Sequence, residues 1–172
     1  MKTKMLILYA LFAALTAICS MIAIPLPFTP VPVNLATLSV FLAGGLLGAR
    51  GGAVSQSVYV LLGAIGLPVF SGFTGGFGVL SGPTGGFLVG YAAAAWVTGL
   101  IIGGAGHNFY RNIIGMIAGM SVYFTLGTLW FMYVTSTGLI AALMMCVVPF
   151  LIGDAFKIAV GSVLVQKLHK VV

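Results

Sequence analysis

Acidic side chains are almost missing from this chain. Of its 172 residues, seven are Lys or Arg and only one is Asp or Glu, Asp154. Charged residues amount to 5%, too few for a soluble fold of this size to cover its surface; an ordinary soluble domain carries roughly 25%. Disorder is excluded as well, because 61% of the residues are hydrophobic and a disordered chain is poor in them. Cysteine is scarce: Cys19 and Cys146 lie in apolar runs with no CxxC spacing, which excludes a disulfide framework and a thiolate metal site. His107 and His169 are the only histidines, each beside basic residues near an expected membrane edge, and neither reads as a metal ligand. No GxxxxGK[ST] loop occurs, so the chain does not hydrolyse ATP alone.

What is present is apolar sequence in helix-length runs. A helical span needs about 20 residues, so the composition predicts an all-α integral membrane protein, a single domain over 1–172 with no soluble part. Expected helices cover about 5–24, 33–47, 53–65, 85–102, 109–133 and 139–165. The first could be misread as a signal peptide, since Lys2 and Lys4 precede it. Its apolar run continues past Cys19, however, and Ile18 is too large for a lipoprotein cleavage site, so it is expected to be retained. Four prolines at 25, 27, 30 and 32 forbid helix and predict a stiff, extended connection. Gly66 and Pro68 end helix 3, and the Gly-rich stretch from Ser71 to Gly86 is expected to be irregular. Pro149 is expected to break or kink helix 6.

Charge fixes the expected orientation. Lys2, Lys4, Arg50, Arg111, Lys167 and Lys170 all fall on one side of this six-span layout, and the opposite loops (25–32, 66–84, 134–138) hold no Lys or Arg. By the positive-inside rule both termini are cytoplasmic and the Pro-rich and Gly-rich loops external. The net charge of +6 therefore reads as topology, not as a nucleic-acid surface.

Two features carry the functional expectation. Lys157 lies three residues after Asp154 inside helix 6, so both project from one helical face. Ionisable groups in a span are costly and mark functional sites by default; the bland alternative is a neutral pair that pins helix packing. The second feature is the external stretch GLPVFSGFTGGFGVLSGPTGGFLVGY at 66–91, with Phe70, Phe73, Phe77 and Phe87 among flexible glycines. Backbone amides and aromatic faces without a cation suit a small, flat, partly polar ligand and not a phosphate. In helix 1, Ala10 and Ala14, with Ala13 and Ala17, give small-xxx-small patterns that permit close helix approach, within the bundle or to a partner.

Several segments resemble the BioY family: GAIGLPVF at 63–70, GGFGVLSGPTGGFLVGY at 75–91, DAFK at 154–157 and PLPFTPVPVNLATLSVFLAGGLLGARGGA at 25–53. Members of that family are biotin-specific substrate-binding subunits (S components) of energy-coupling factor transporters. The resemblance implies a six-transmembrane-helix S-component bundle in a prokaryotic cell membrane, binding biotin near its external face. It implies partnership with a transmembrane coupling subunit and two ATPase subunits, which use the ATP; the chain itself is neither an enzyme nor the holder of a cofactor. Asp154 would accept a ureido N–H of biotin, and Lys157 would orient Asp154 or donate to the ureido oxygen. Tyr91, Gln56 and the 72–86 loop, including Gly75 and Thr84, would complete the pocket, and Ala10 and Ala14 would meet the coupling subunit. Members often have Tyr at the position of Phe87, so no hydrogen bond carries over there. With no second cation for it, the biotin carboxylate should point to water. A small multidrug exporter would have four spans with its acid in helix 1, and a channel would need repeated polar rings. An intramembrane enzyme would need a nucleophile–base pair, which this sequence lacks. An S component for another vitamin is the strongest competitor.

Overall fold

A computed structural model describes residues 2–103 and 108–169; His107 and Lys170 lie outside them. The chain is mostly helical. Helix α1 is Lys2–Met21, followed by strands β1, Ala23–Leu26, and β2, Thr29–Asn34, then α2, Ala36–Ala64. A short α3, Phe77–Ser81, precedes α4, Gly85–Ile102, and α5, Phe109–Thr135. Leu139–Cys146 forms α6, one 3₁₀ turn covers Val148–Phe150, and α7 is Leu151–Leu168. Among the described residues, five helical stretches are long and apolar enough to cross a membrane, the last being Leu139–Leu168 taken together.

The run 36–64 is continuous in hydrogen bonding but not straight. Gly48 takes φ 73°, ψ 179°, in the half of conformational space that favours glycine. A side-chain carbon built on Gly52 would sit 2.8 Å from the Cα of Gly44. Eight residues along a straight helix would separate those positions by about 12 Å. The chain therefore folds back at Gly48 into two antiparallel arms, close to the two helices expected at 33–47 and 53–65. The reversal is tighter than the loop 48–52 anticipated, because Gly51 and Gly52 are already helical.

The extended segment is where the all-α expectation needs correction. Residues 23–34 form an antiparallel hairpin with the register Ala23↔Asn34, Ile24↔Val33 and Leu26↔Thr29. Pro25, Pro30 and Pro32 fall between these pairs, where a missing N–H costs no ladder bond. The hairpin shortens the neighbouring helices: α1 stops at Met21, and α2 starts at Ala36, where Asn34 Oδ1 accepts the Ala36 amide at 3.1 Å. Helix 6 breaks at Pro149, as expected, into α6 and α7.

Close packing comes from small residues on α2 and α4. A carbon added to Gly99 would collide with the backbone of Gly48 and Ala49, and one on Gly44 with the carbonyl of Ala95. Without a hydrophobic drive between helices in lipid, such backbone approach is what holds them. Thr16, Ser39 and Gln56 tie α1 to both arms of α2: Thr16 Oγ1 and Ser39 Oγ are 2.8 Å apart, and Gln56 Nε2 donates to Thr16 Oγ1 at 3.1 Å. One end of the bundle carries Lys4, the Arg50 turn, the start of α5 with Arg111 and the end of α7 with Lys167. Contacts of Tyr9 with Gly51, of Arg111 Nε with the Ile101 carbonyl and of Val165 with Gly45 hold these elements together. The hairpin and residues 66–84 cap the other end.

Candidate functional site

At the capped end a cavity of about 310 Å³ opens between the hairpin, the 70–84 segment, α4 and α5. Its inner wall is a row of aromatic rings. Phe70 meets Tyr59 edge to face at 5.6 Å, Tyr59 meets Tyr91 at 6.1 Å, and Tyr91 stacks on Tyr123 at 5.6 Å with 22° between planes. Phe87 closes the row against Tyr123 at 5.2 Å. Glycines seat both ends: a carbon on Gly63 would strike the Phe70 ring, and one on Gly127 the Phe87 ring. The row places Phe70, Phe87, Tyr91 and Tyr123 in the cavity lining, with Tyr59 fully buried behind them.

The polar rim comes from Asn34, Ser71, Thr74 and Thr84. Asn34 is held at both ends of its amide, with Oδ1 on the Ala36 amide and Nδ2 donating to Ser71 Oγ at 2.8 Å. Its side chain also lies close to the Tyr91 hydroxyl. Ser71 Oγ in turn donates to the Ser20 carbonyl at 3.1 Å, tying the Gly-rich segment to α1.

The ion pair sits behind this wall. Asp154 and Lys157 are 2% and 7% exposed, and Lys157 Nζ donates to Asp154 Oδ1 at 2.8 Å. Thr37, from the first arm of α2, completes the group: its Oγ1 accepts from Lys157 at 3.0 Å and lies 3.4 Å from Asp154 Oδ1. Buried charges persist when they are paired and hydrogen-bonded. All of these bonds fall on Oδ1. Among the described residues Oδ2 takes none. Neither Asp154 nor Lys157 lines the cavity, but Asp154 is near enough to Tyr91 and Tyr123 to act on both hydroxyls electrostatically. Asp154 falls in the first turn of α7, just after the break at Pro149.

The expected residues therefore separate. Tyr91 and Thr84 line the cavity, and Asp154 and Lys157 stand behind its inner wall. Gln56 does not reach it; its side chain is spent on the α1–α2 contact, and its Oε1 has no partner among the described residues. Gly75 packs on the Leu67 carbonyl, away from the lining. Ala10 and Ala14 face outward with Leu6, Leu11 and Ile18, whereas Ala13 is buried. Sequence reasoning missed Asn34, Thr37, Ser71 and Tyr123. Among the described residues no group of three or more His, Cys, Asp or Glu side chains could hold a metal ion.

An apolar helical bundle with an open cavity at one end and a buried ion pair behind it is the layout of a membrane-embedded solute-binding protein. The chain belongs to the BioY family, which it matches over residues 1–172. It is 36% identical over 167 residues to the "Biotin transporter BioY" of Thermotoga maritima, covering 97% of this chain and 96% of that one. The "Probable biotin transporter BioY" of Pyrococcus horikoshii is 35% identical over 169 residues, covering 98% of each. Among solved structures, the crystal structure of the S-component for biotin from an ECF-type ABC transporter superimposes with a TM-score of 0.91 at 29% identity, over 98% of this chain and 92% of that one.

Proposed function

We propose that this chain is the biotin-binding S component of an energy-coupling factor transporter, taking biotin from outside a prokaryotic cell and delivering it with a coupling subunit and two ATPase subunits. One observation carries the reading: an aromatic-walled cavity backed by the chain's single acid, which has one carboxylate oxygen uncommitted. Biotin presents a bicyclic apolar body and a urea with two N–H donors and one acceptor. The rings suit the Tyr91–Tyr123 wall. A ureido N–H suits Asp154 Oδ2, since hydrogen bonds to an ionised acceptor are roughly twice as strong as neutral ones. Lys157 donates to Oδ1 and to Thr37, which leaves one of its three donors for the ureido oxygen. Thr84 at the start of α4 and Asn34 at the start of α2 complete the polar rim.

The two arms of α2 count as separate spans in this reading, giving six, with both termini in the cytoplasm. The clustering of Lys4, Arg50, Arg111 and Lys167 at the end away from the cavity supports that orientation. The outward face of α1 at Ala10 and Ala14 meets the coupling subunit. As a carrier of substrate the chain performs no bond-making chemistry; hydrolysis belongs to the partners.

Calorimetric titration of the detergent-purified protein with biotin tests the reading, with thiamine and riboflavin as competitors. Saturable biotin binding that neither competitor displaces is expected. A chain that binds another vitamin and ignores biotin would be an S component of different specificity.

A further inference from the structure

Two lips border the mouth of the cavity: the hairpin, through Pro30, Pro32 and Asn34, and the Gly-rich segment, through Phe70, Ser71 and Thr74. Each is held on its own side. The hairpin is paired internally down to Ala23↔Asn34. The 70–74 turn closes on itself, with the Phe70 amide on the Thr74 carbonyl at 3.0 Å and Thr74 Oγ1 on the Ser71 carbonyl at 2.9 Å. It is moored to the second arm of α2, where the Tyr59 hydroxyl donates to the Val69 carbonyl at 3.3 Å and the Gly63 carbonyl accepts the Gly76 amide at 2.7 Å. Between the lips, among the described residues, there is one hydrogen bond: Asn34 Nδ2 donates to Ser71 Oγ at 2.8 Å.

That bond is fixed from both ends. Ser71 gives its single hydroxyl hydrogen to the Ser20 carbonyl at 3.1 Å, so toward Asn34 it can only accept. The Ala36 amide occupies Asn34 Oδ1, which turns Nδ2 to Ser71. Both anchors lead to the end of α1. The last carbonyls of a helix have no partner within it. In the last turn of α1, the Cys19 carbonyl takes the Leu35 amide at 3.2 Å and the Ser20 carbonyl takes Ser71. One helix end therefore holds the base of the hairpin and the turn that faces it.

We infer that the Ser71 hydroxyl is the clasp of this mouth: a positioning residue that keeps the hairpin and the 70–74 turn together over a bound ligand and so sets how long the ligand stays. The inference rests on the biotin reading above for its ligand, though not for its geometry. A clasp made across an occupied mouth slows escape more than entry, so its loss acts on the dissociation rate. Because the clasp hangs on the last turn of α1, release is tied to the helix whose Ala10 and Ala14 face is proposed to meet the coupling subunit.

Two measurements on the purified full chain test it, one with labelled biotin and one without ligand. Ser71→Ala should release biotin at least about tenfold faster than wild type, while its association rate stays within about threefold. Asn34→Ala should also speed release, and the double variant should exceed the faster single one by no more than about twofold, as expected of two partners in one bond. Ser71→Thr keeps the hydroxyl and should recover most of the lost retention. Without ligand, the backbone amides of residues 33–35 and 70–74 should exchange hydrogen faster in Ser71→Ala than in wild type. If Ser71→Ala does not fold, Ser71→Cys, a weaker donor and acceptor of similar size, should shift both measurements in the same direction to a smaller degree. Release within about threefold of wild type overturns the clasp, whether or not the melting temperature falls. So does full additivity, which would make Ser71 and Asn34 separate ligand contacts, and so does unchanged amide exchange. A wild type that ignores biotin is a different result: it removes the biotin reading, and the exchange comparison still decides the clasp.

Discussion

Asp154 and Lys157 stand out in the sequence because they are chemically isolated: the chain's only acid, one turn from the only Lys inside the spans expected from sequence. The third member of the group does not stand out. Thr37 is one of many hydroxyl residues, and it meets Lys157 across 120 positions of chain, a proximity that no local pattern encodes. Its role is testable by isosteric replacement. Thr37→Val keeps the shape but leaves the Lys157 ammonium short of an acceptor, and a hydrogen bond to a charged group contributes about 1.5–3 kcal/mol. Biotin affinity should fall roughly tenfold or more and return with Thr37→Ser; an unchanged titration for the Val variant would make Thr37 a packing residue. Asp154→Ala should cost more, about 2–5 kcal/mol, because it removes the acceptor and strands Lys157. Asp154→Asn, keeping one acceptor, should lose less. A pair that only pins packing would instead lower the melting temperature of both variants and leave the affinity of the folded fraction within about threefold of wild type.

Regular elements were legible where their punctuation was strong. The start of α4 follows the glycine–proline run and its end falls at Ile102, as the apolar window implies, and Pro149 marks the α6–α7 break. The hairpin was not legible. Proline ordinarily argues against paired strands, and Pro27–Phe28 is no standard hairpin turn signal; only the register shows that the prolines avoid the paired positions. Asn34 escaped notice for the same reason, since its place at the cavity depends on where the hairpin ends. The small residues of α1 could be seen in sequence but not apportioned: the structure turns Ala13 inward and leaves Ala10 and Ala14 on a face with Leu11, which is 58% exposed. Replacing Ala10 or Ala14 by Trp should therefore spare biotin binding by the isolated subunit and abolish co-purification with a coupling subunit or uptake. Wild-type uptake by both variants would take α1 out of the interface.

Across the whole molecule the two ends differ in chemistry, basic at one and Pro-, Gly- and aromatic-rich at the other. In a background lacking Cys19 and Cys146, single cysteines at Phe28 (54% exposed) and Phe77 (74% exposed) should react with an impermeant thiol reagent on intact cells. A cysteine at Tyr110, 73% exposed near the basic end, should react only after lysis. The opposite pattern would invert the topology and place the cavity inside.

The reversal at Gly48 bears on how such a chain enters a bilayer. With helix on both sides of a single residue, there is no loop to park in water while one arm waits for the other. A nascent chain ending at Leu47 would expose the small, tightly complementary face of the first arm to lipid, with no backbone to pack on. The two arms are thus suited to leave the insertion machinery together, as one hairpin. A bulky β-branched residue at position 48, where φ is +73°, would act on the newborn chain before it acted on the finished transporter.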